Sequence, residues 1–283
     1  MKLLATTDLH QREDKWRQLV ENCKKESPDI ICIAGDLFPK NVNISAQKQF
    51  LKHIIKYAKK IKEMNCKLVL ILGNDDNKNI EVDMKKLDEE GVLYYVSDSV
   101  REIDGYEFIG FPWVLDYPFL YKYWIKPESK TDLHISELQY GEPLTINDDN
   151  SMSEIENYKE FLSKREDIAT SLSKLAEKVK NMSKSIWLIH CPPYGCGLDH
   201  CASGYKAGSK SIYEFIVKNQ PLLTIHGHIH ESPHYSFVWK KNIGNTTTIQ
   251  PGQIDNKLHY VTFKIEGDKI MEVNHNIYAE LPA

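Results

Sequence analysis

No stretch of this 283-residue sequence is an apolar run of the roughly 18 residues that a membrane-crossing helix needs. The first apolar run, Leu3-Leu4-Ala5, stops far short of a secretory signal. Both absences set the expectation of a cytoplasmic protein with no membrane partner. Cysteine is sparse: Cys23, Cys32, Cys66, Cys191, Cys196 and Cys201 are too few and too scattered to staple a chain this long. Glycine (14) and proline (12) are also few and show no repeat, which excludes a collagen-like chain. An excess of base is missing too. Lys plus Arg is 36 against 40 for Asp plus Glu, a formal charge of −4, so stable nucleic-acid binding is not expected.

What remains is an ordinary globular balance, 41% hydrophobic and 27% charged. The first third alternates strand and helix patterns. Strands are expected at Lys2–Thr6, Asp29–Ala34 and Lys67–Leu72. An amphipathic helix is expected at 12–25, with Trp16, Leu19, Val20 and Cys23 on one face. A second is carried by Leu51, Ile54, Ile55, Ala58 and Ile61. Strand–helix–strand order implies parallel βαβ units. Short strands follow at 92–96 and 106–111. Residues 114–153 read as an insertion or lid with little regular structure. Residues 141–167 hold eight acids against Lys159, Lys164 and Arg165, and 154–180 read as one long polar helix. The last third returns to strands at Ser185–Ile189 and Pro221–Ile225, with a helix at 210–219. From 235 the pattern is that of an antiparallel sheet. One domain over 1–283 is expected.

Metal-ligand residue types sit just past the C-terminal ends of five of these strands. They are Asp8-Leu9-His10, Gly35-Asp36, Gly73-Asn74-Asp75-Asp76, His190 and Gly227-His228-Ile229-His230. In open α/β sheets ligands gather at the carboxyl ends of strands. Each cluster alone reads more readily as turn or cap chemistry than as a metal site. Five in register with five strand ends point to one metal site.

In this order the clusters resemble the calcineurin-like metallophosphoesterase superfamily, whose pattern is D-x-H, G-D, G-N-H-[DE], H and G-H-x-H. The likeness runs from residue 3 to about 253, and includes His190-Cys191-Pro192-Pro193. It implies an α/β fold, a four-layer α/β/β/α sandwich of two mixed sheets flanked by helices. It also implies two divalent transition metals. Asp8, His10, Asp36 and His230 would hold one; Asp36, Asn74, His190 and His228 would hold the other. Imidazole, carboxylate and amide donors suit Mn, Fe, Zn or Co, with manganese favoured. The activity implied is metal-dependent phosphoester hydrolysis, a diester more than a monoester, on a small substrate such as a nucleotide. The alternative is a non-enzymatic protein-interaction module on the same scaffold, and a homo-oligomer is compatible with either.

One position departs from the pattern. Asp75 stands where the family has the histidine assigned to the transition state or leaving group. An aspartate is ordinarily ionised at pH 7. It acts as an acid only if its pKa is raised. It otherwise repels phosphate, adds a ligand or shapes the turn. Asp75 and Asn74 are therefore the catalytic candidates beside the metal ligands. Cys191, Cys196, His200 and Cys201 crowd one loop, which either holds a structural zinc or simply positions His190. Tyr194 is a candidate for the substrate cleft. The aromatic stretch from Trp113 to Trp124 reads as core, lid, dimer surface or base-stacking surface.

Overall fold

The computed structural model of the protein describes residues 1–40, 44–147 and 151–278. The chain runs β1 (Lys2–Thr6), α1 (Glu13–Glu26), β2 (Ile30–Ala34), α2 (Ile44–Glu63), β3 (Lys67–Ile71), α3 (Glu81–Glu89) and β4 (Tyr94–Tyr95). It continues through β5 (Val100–Ile103), β6 (Tyr106–Phe111), β7 (Leu144–Ile146), β8 (Met152–Glu154), α4 (Tyr158–Ser163) and α5 (Ile168–Ala176). Then come β9 (Ser185–Ile189), α6 (Lys210–Asn219), β10 (Leu223–Ile225), α7 (Ser232–Ser236), β11 (Lys240–Ile243), β12 (Thr246–Ile249), β13 (Val261–Glu266) and β14 (Lys269–His275).

Among the described residues these strands form two six-stranded mixed sheets and a small hairpin of β7 and β8. The first sheet is ordered β14-β13-β1-β2-β3-β4 and the second β11-β12-β10-β9-β6-β5. The strand sequences explain the layering. Side chains alternate across a strand. Leu4, Ile31, Ile33, Leu68 and Leu70 face outward onto Trp16, Leu19, Ile54 and Ile61 of α1 and α2. Their neighbours Leu3, Ile30, Cys32, Val69 and Ile71 face inward onto Phe108, Ile186, Leu188 and Ile225 of the second sheet. Both faces are apolar, so each strand reads as a continuous hydrophobic run. On the far side Trp187 packs on Phe215 of α6 at 4.6 Å between rings. The result is the expected four-layer α/β/β/α sandwich. Each fully buried Leu or Ile contributes roughly 1.5–3 kcal/mol, and these side chains hold the layers together.

Several local expectations change. The long polar helix at 154–180 is two short helices. Asn157 caps α4 by accepting from Glu160 N at 3.1 Å, and Asp167 caps α5 by accepting from Thr170 N at 2.7 Å. Arg165 lies between them and donates to Ile125 O at 3.0 Å, so the break docks onto the insertion. The strand expected at 92–96 shrinks to β4, while β5 and α3 are additional. The C-terminal strands form two antiparallel hairpins rather than one sheet. The β11–β12 hairpin joins the second sheet, where β12 also runs parallel to β10, and β13–β14 joins the first.

Among its described residues the 114–153 segment carries the short strands β7 and β8, and much of it is packed. Trp113, Val114, Leu115, Tyr117, Tyr123, Trp124 and Ile125 are buried. Asp148 and Asp149 lie outside the described residues. Glu128 shows what the packing does. It is buried, and accepts from Ser209 Oγ at 2.8 Å, Ser211 N at 2.5 Å and Lys210 N at 3.3 Å. It thus satisfies free backbone donors at the start of α6 and places a negative charge there.

Glu128→Ala should lower unfolding free energy by about 2–3 kcal/mol, the value of charged hydrogen bonds lost from a buried cap. The shift in urea midpoint measures it. Glu142→Ala, at an exposed site in the same segment, should stay within about 0.5 kcal/mol of the wild type.

Candidate metal centre

Strands β1, β2 and β3 are parallel neighbours in one sheet, and β9 and β10 are parallel neighbours in the other. Their C-terminal loops meet at one end of the sandwich, where His190 and His228 from the second sheet both reach Asn74 Oδ1 from the first. The turns that follow are sharp. Asp8, His10, Asp36 and His228 all have positive φ, between 46° and 70°. Such backbone costs about 1 kcal/mol or more per residue and persists where surrounding contacts over-determine it. Those contacts are visible: Asp8 N donates to Gly35 O at 3.0 Å, His10 N to Asp36 O at 2.8 Å, and His228 N to Asp8 Oδ1 at 3.2 Å.

The side chains from these turns fall into two sets that share Asp36. Ligand atoms of Asp8, His10, Asp36 and His230 all lie within 4.8 Å of one another. His10 Nε2 and His230 Nε2 are 3.2 Å apart, and His230 Nε2 is 3.3 Å from Asp8 Oδ1. In the second set, His190 Nε2 is 3.4 Å from Asp36 Oδ2 and 3.0 Å from Asn74 Oδ1. Asn74 Oδ1 is in turn 2.6 Å from His228 Nδ1. All seven proposed ligands from the sequence therefore converge.

Whether this group suits a cation follows from its protons. His190 Nδ1 is 2.7 Å from Ala34 O, a pure acceptor, so Nδ1 carries a proton. In a neutral ring Nε2 then presents a lone pair to Asn74 Oδ1 and Asp36 Oδ2. That arrangement asks for positive charge between the groups. The titration directions agree. Burial disfavours the His190 imidazolium, yet Asp36 and Asp8 lift it to about 9. Burial would raise the Asp36 and Asp8 carboxyls, but His190 and His230 respectively outweigh it and hold both well below the ordinary range. Burial depresses His10 and His228 to about 3, leaving both rings neutral. His10 Nδ1 is buried without a hydrogen-bond partner. Neutral imidazoles, ionised carboxylates and one amide oxygen are a donor set for a divalent transition metal.

Asp75 lies at the edge of this group. Its N–H donates to Asp36 Oδ1 at 2.9 Å, and its carboxylate is 3.9 Å from His10 Nδ1 and 3.7 Å from Lys40 Nζ. Burial, then Asp36, raises its carboxyl to about 6, with Lys40 pulling the other way. Asp76, given no role from sequence, ties the site together. Its buried carboxylate accepts from Leu37 N, Phe38 N and Gly73 N, each at 2.9 Å. Burial and Asp36 push its carboxyl well up, against those three amides. Its backbone oxygen accepts from Trp124 Nε1 at 2.6 Å. Gln250 likewise has a role that the sequence does not announce; it donates to Gly227 O at 2.5 Å and steadies the Gly-His-x-His turn. For Asp76 the sole signal is its place at the acidic last position of the third motif, and for Gln250 its place at the end of a strand.

The profile of the family described as Calcineurin-like phosphoesterase matches residues 1–232. The chain belongs to this family. Calcineurin-like phosphoesterases are metal-dependent, and the cluster above is where this member would hold metal. No curated protein matches the sequence. One crystal structure overlaps with a TM-score of 0.60 at 18% identity, covering 96% of this chain and 98% of its own. The crystal structure of TT1561 of Thermus thermophilus gives 0.57 at 17%, covering 96% and 97%. Both likenesses speak to the fold alone. A structure described as a novel archaeal phosphodiesterase overlaps at 0.44 and 13%, covering 97% and 100%, too loosely to bear on activity.

The remaining candidates fall outside the centre. Among the described residues, no metal-binding group includes Cys191, Cys196, His200 or Cys201, and all six cysteines are free thiols. Cys191 is buried, and burial pushes its thiol above the ordinary range. Tyr194 is exposed and lines a separate cavity with Lys210, Tyr213 and Lys241, which contains none of the seven ligands. His226 follows β10 with both ring nitrogens bonded, Nδ1 to Cys191 O and Nε2 to Thr224 Oγ1, each at 2.9 Å. No described helix is long and apolar enough to cross a membrane.

Because Asp36 belongs to both sets, Asp36→Asn should weaken manganese binding to chelator-stripped protein by roughly 100-fold, whereas Asn74→Ala should spare the set around His10. Metal content after dialysis distinguishes the two variants; equal losses would mean that the sets are not separable.

Proposed function

We propose that the protein hydrolyses phosphodiesters with a dinuclear metal centre. The reading is carried by one observation: seven ligand-type side chains from five strand ends meet around a shared carboxylate, Asp36. Asp8, His10, Asp36 and His230 would hold one divalent transition metal; Asp36, Asn74, His190 and His228 would hold the other, with manganese favoured. When bound, such a pair acidifies water and neutralises charge that develops on phosphoryl oxygens.

The chain's own residues do the rest. Ala34 O fixes the His190 ring by holding its Nδ1 proton, which keeps Nε2 aimed at the site. Thr7 Oγ1 donates to Asp8 Oδ2 at 2.9 Å and orients that carboxylate. Asp75 brings a further acidic group to the position of the family histidine. A dianionic monoester meets more repulsion there than a monoanionic diester, which supports the diester preference. Lys40, 3.7 Å from Asp75, is the cation placed to offset that repulsion for a phosphate at the mouth. The imidazole beside Asp75, that of His10, is assigned to metal binding, and the family's acid position carries a carboxyl instead of a histidine, so good leaving groups are favoured. That same loss of histidine supports a second reading, in which the scaffold binds a protein partner without turnover.

With manganese, bis(p-nitrophenyl) phosphate should be hydrolysed, chelator should abolish the reaction, and kcat/KM for p-nitrophenyl phosphate should be lower by about tenfold or more. Asp75→His should raise turnover on alkyl leaving groups by about 100-fold, the lower end of general acid catalysis. Absence of turnover in folded, metal-loaded protein would overturn the enzymatic reading in favour of the binding platform.

A further inference from the structure

The insertion places aromatic rings in an unbroken path from the metal centre to solvent. The Tyr117 ring meets the His228 ring edge-on at 6.0 Å. Phe119 packs on Tyr117 at 6.2 Å, and Tyr140 on Phe119 at 5.8 Å. Tyr117 is buried, but Phe119 and Tyr140 are 51% and 60% exposed. Scattered exposed aromatics are normal on a protein surface. Two in ring contact, joined through a third to a ligand histidine, are not scattered.

The path is held by a built core. Asp116 and Lys122 form an ion pair of 2.8 Å with both side chains essentially inaccessible. The second Asp116 oxygen accepts from Ser136 N at 2.9 Å and Gln139 Nε2 at 3.1 Å, and Tyr158 Oη also bonds the carboxylate. Tyr140 N donates to Pro118 O at 2.7 Å. One buried carboxylate thus fixes the segments carrying Phe119 and Tyr140. Ring positions set by such a network do not wait for ligand to order them, which lowers the entropic cost of binding.

We infer that Phe119 and Tyr140 form a stacking platform for the nucleobase of a small nucleoside phosphodiester whose phosphate sits at the metal centre. The inference rests on the phosphodiesterase reading for the placement of the phosphate. Bases stack on aromatic faces irrespective of sequence. Exposed Asp132, Glu137 and Glu142 on the same segment repel a polyanion, so the occupant is a single nucleoside unit rather than a nucleic-acid strand.

The test compares two monoanionic diesters with poor leaving groups, adenosine 5′-(methyl phosphate) and dimethyl phosphate, by calorimetric binding to manganese-loaded protein. The nucleoside diester should bind ~10-fold tighter or better, as base stacking predicts. Phe119→Ala and Tyr140→Ala should each reduce that preference several-fold, leave dimethyl phosphate binding unchanged and, being surface changes, leave the melting temperature unchanged. Equal affinity for the two ligands, or a preference that survives both substitutions, overturns the platform. So does a self-associating protein whose dimer is lost in Phe119→Ala while ligand preference is retained, since the rings would then serve a second copy. If wild-type protein binds the nucleoside diester preferentially yet hydrolyses nothing, the platform stands and the phosphodiesterase reading falls.

Discussion

The centre depends on how closely the loops after β2, β3 and β10 approach one another, and that closeness depends on three missing side chains. A Cβ on Gly73 would lie 2.4 Å from Asp36 Oδ1 and 2.7 Å from His190 Cε1. One on Gly35 would lie 2.5 Å from His190 Nδ1, and one on Gly227 would lie 2.0 Å from Thr7 Oγ1. The backbone itself is the wall against which the ligands are set. Burial of the two sheets fixes where the strand ends are. The glycines decide that the loops beyond them can touch, and Asp76 then binds the β2 and β3 loops into one unit through three amides.

Electrostatics works in the opposite direction to packing here. Asp8, Asp36, Asp75 and Asp76 are buried or nearly so within one small region, and Asp36 raises both Asp75 and Asp76. Without a cation, the region balances this by charging His190. A cation bound there would relieve the same strain from outside the chain, and its loading would then couple to stability.

Much of the site is legible in the sequence because strand ends have a visible signature. Runs such as Ile30–Ala34 are apolar on both faces, and the polar residues that follow can only be loops, so the sequence alone locates Asp36 and His190. Helix α1 is legible for a similar reason, since Trp16, Leu19, Val20 and Cys23 repeat at helical spacing. What escapes is long-range. Asp76 and Glu128 act on backbone amides far away in sequence, and an acceptor of amides has no pattern of its own. The split of 154–180 is hidden because Asn157 and Asp167 are ordinary polar residues until a helix starts after them. The two C-terminal hairpins are legible as antiparallel strands, but nothing in their alternation says which sheet each will join.

The insertion itself divides into two parts with different fates. Residues 114–128 are pinned by Trp124 to the loop after β3, by Glu128 to α6 and by Arg165 to the carbonyls of Tyr123 and Ile125. Beyond Glu128, the segment that carries Tyr140 hangs from the rest mainly through Asp116, Pro118 and the β7–β8 hairpin. The first part is structural hardware shared with the centre, and it can change only if the centre changes with it. The second reaches those loops only at one remove, through Asp116 and the residues that bond it, so a change there leaves the strand-end turns and their side chains where they are.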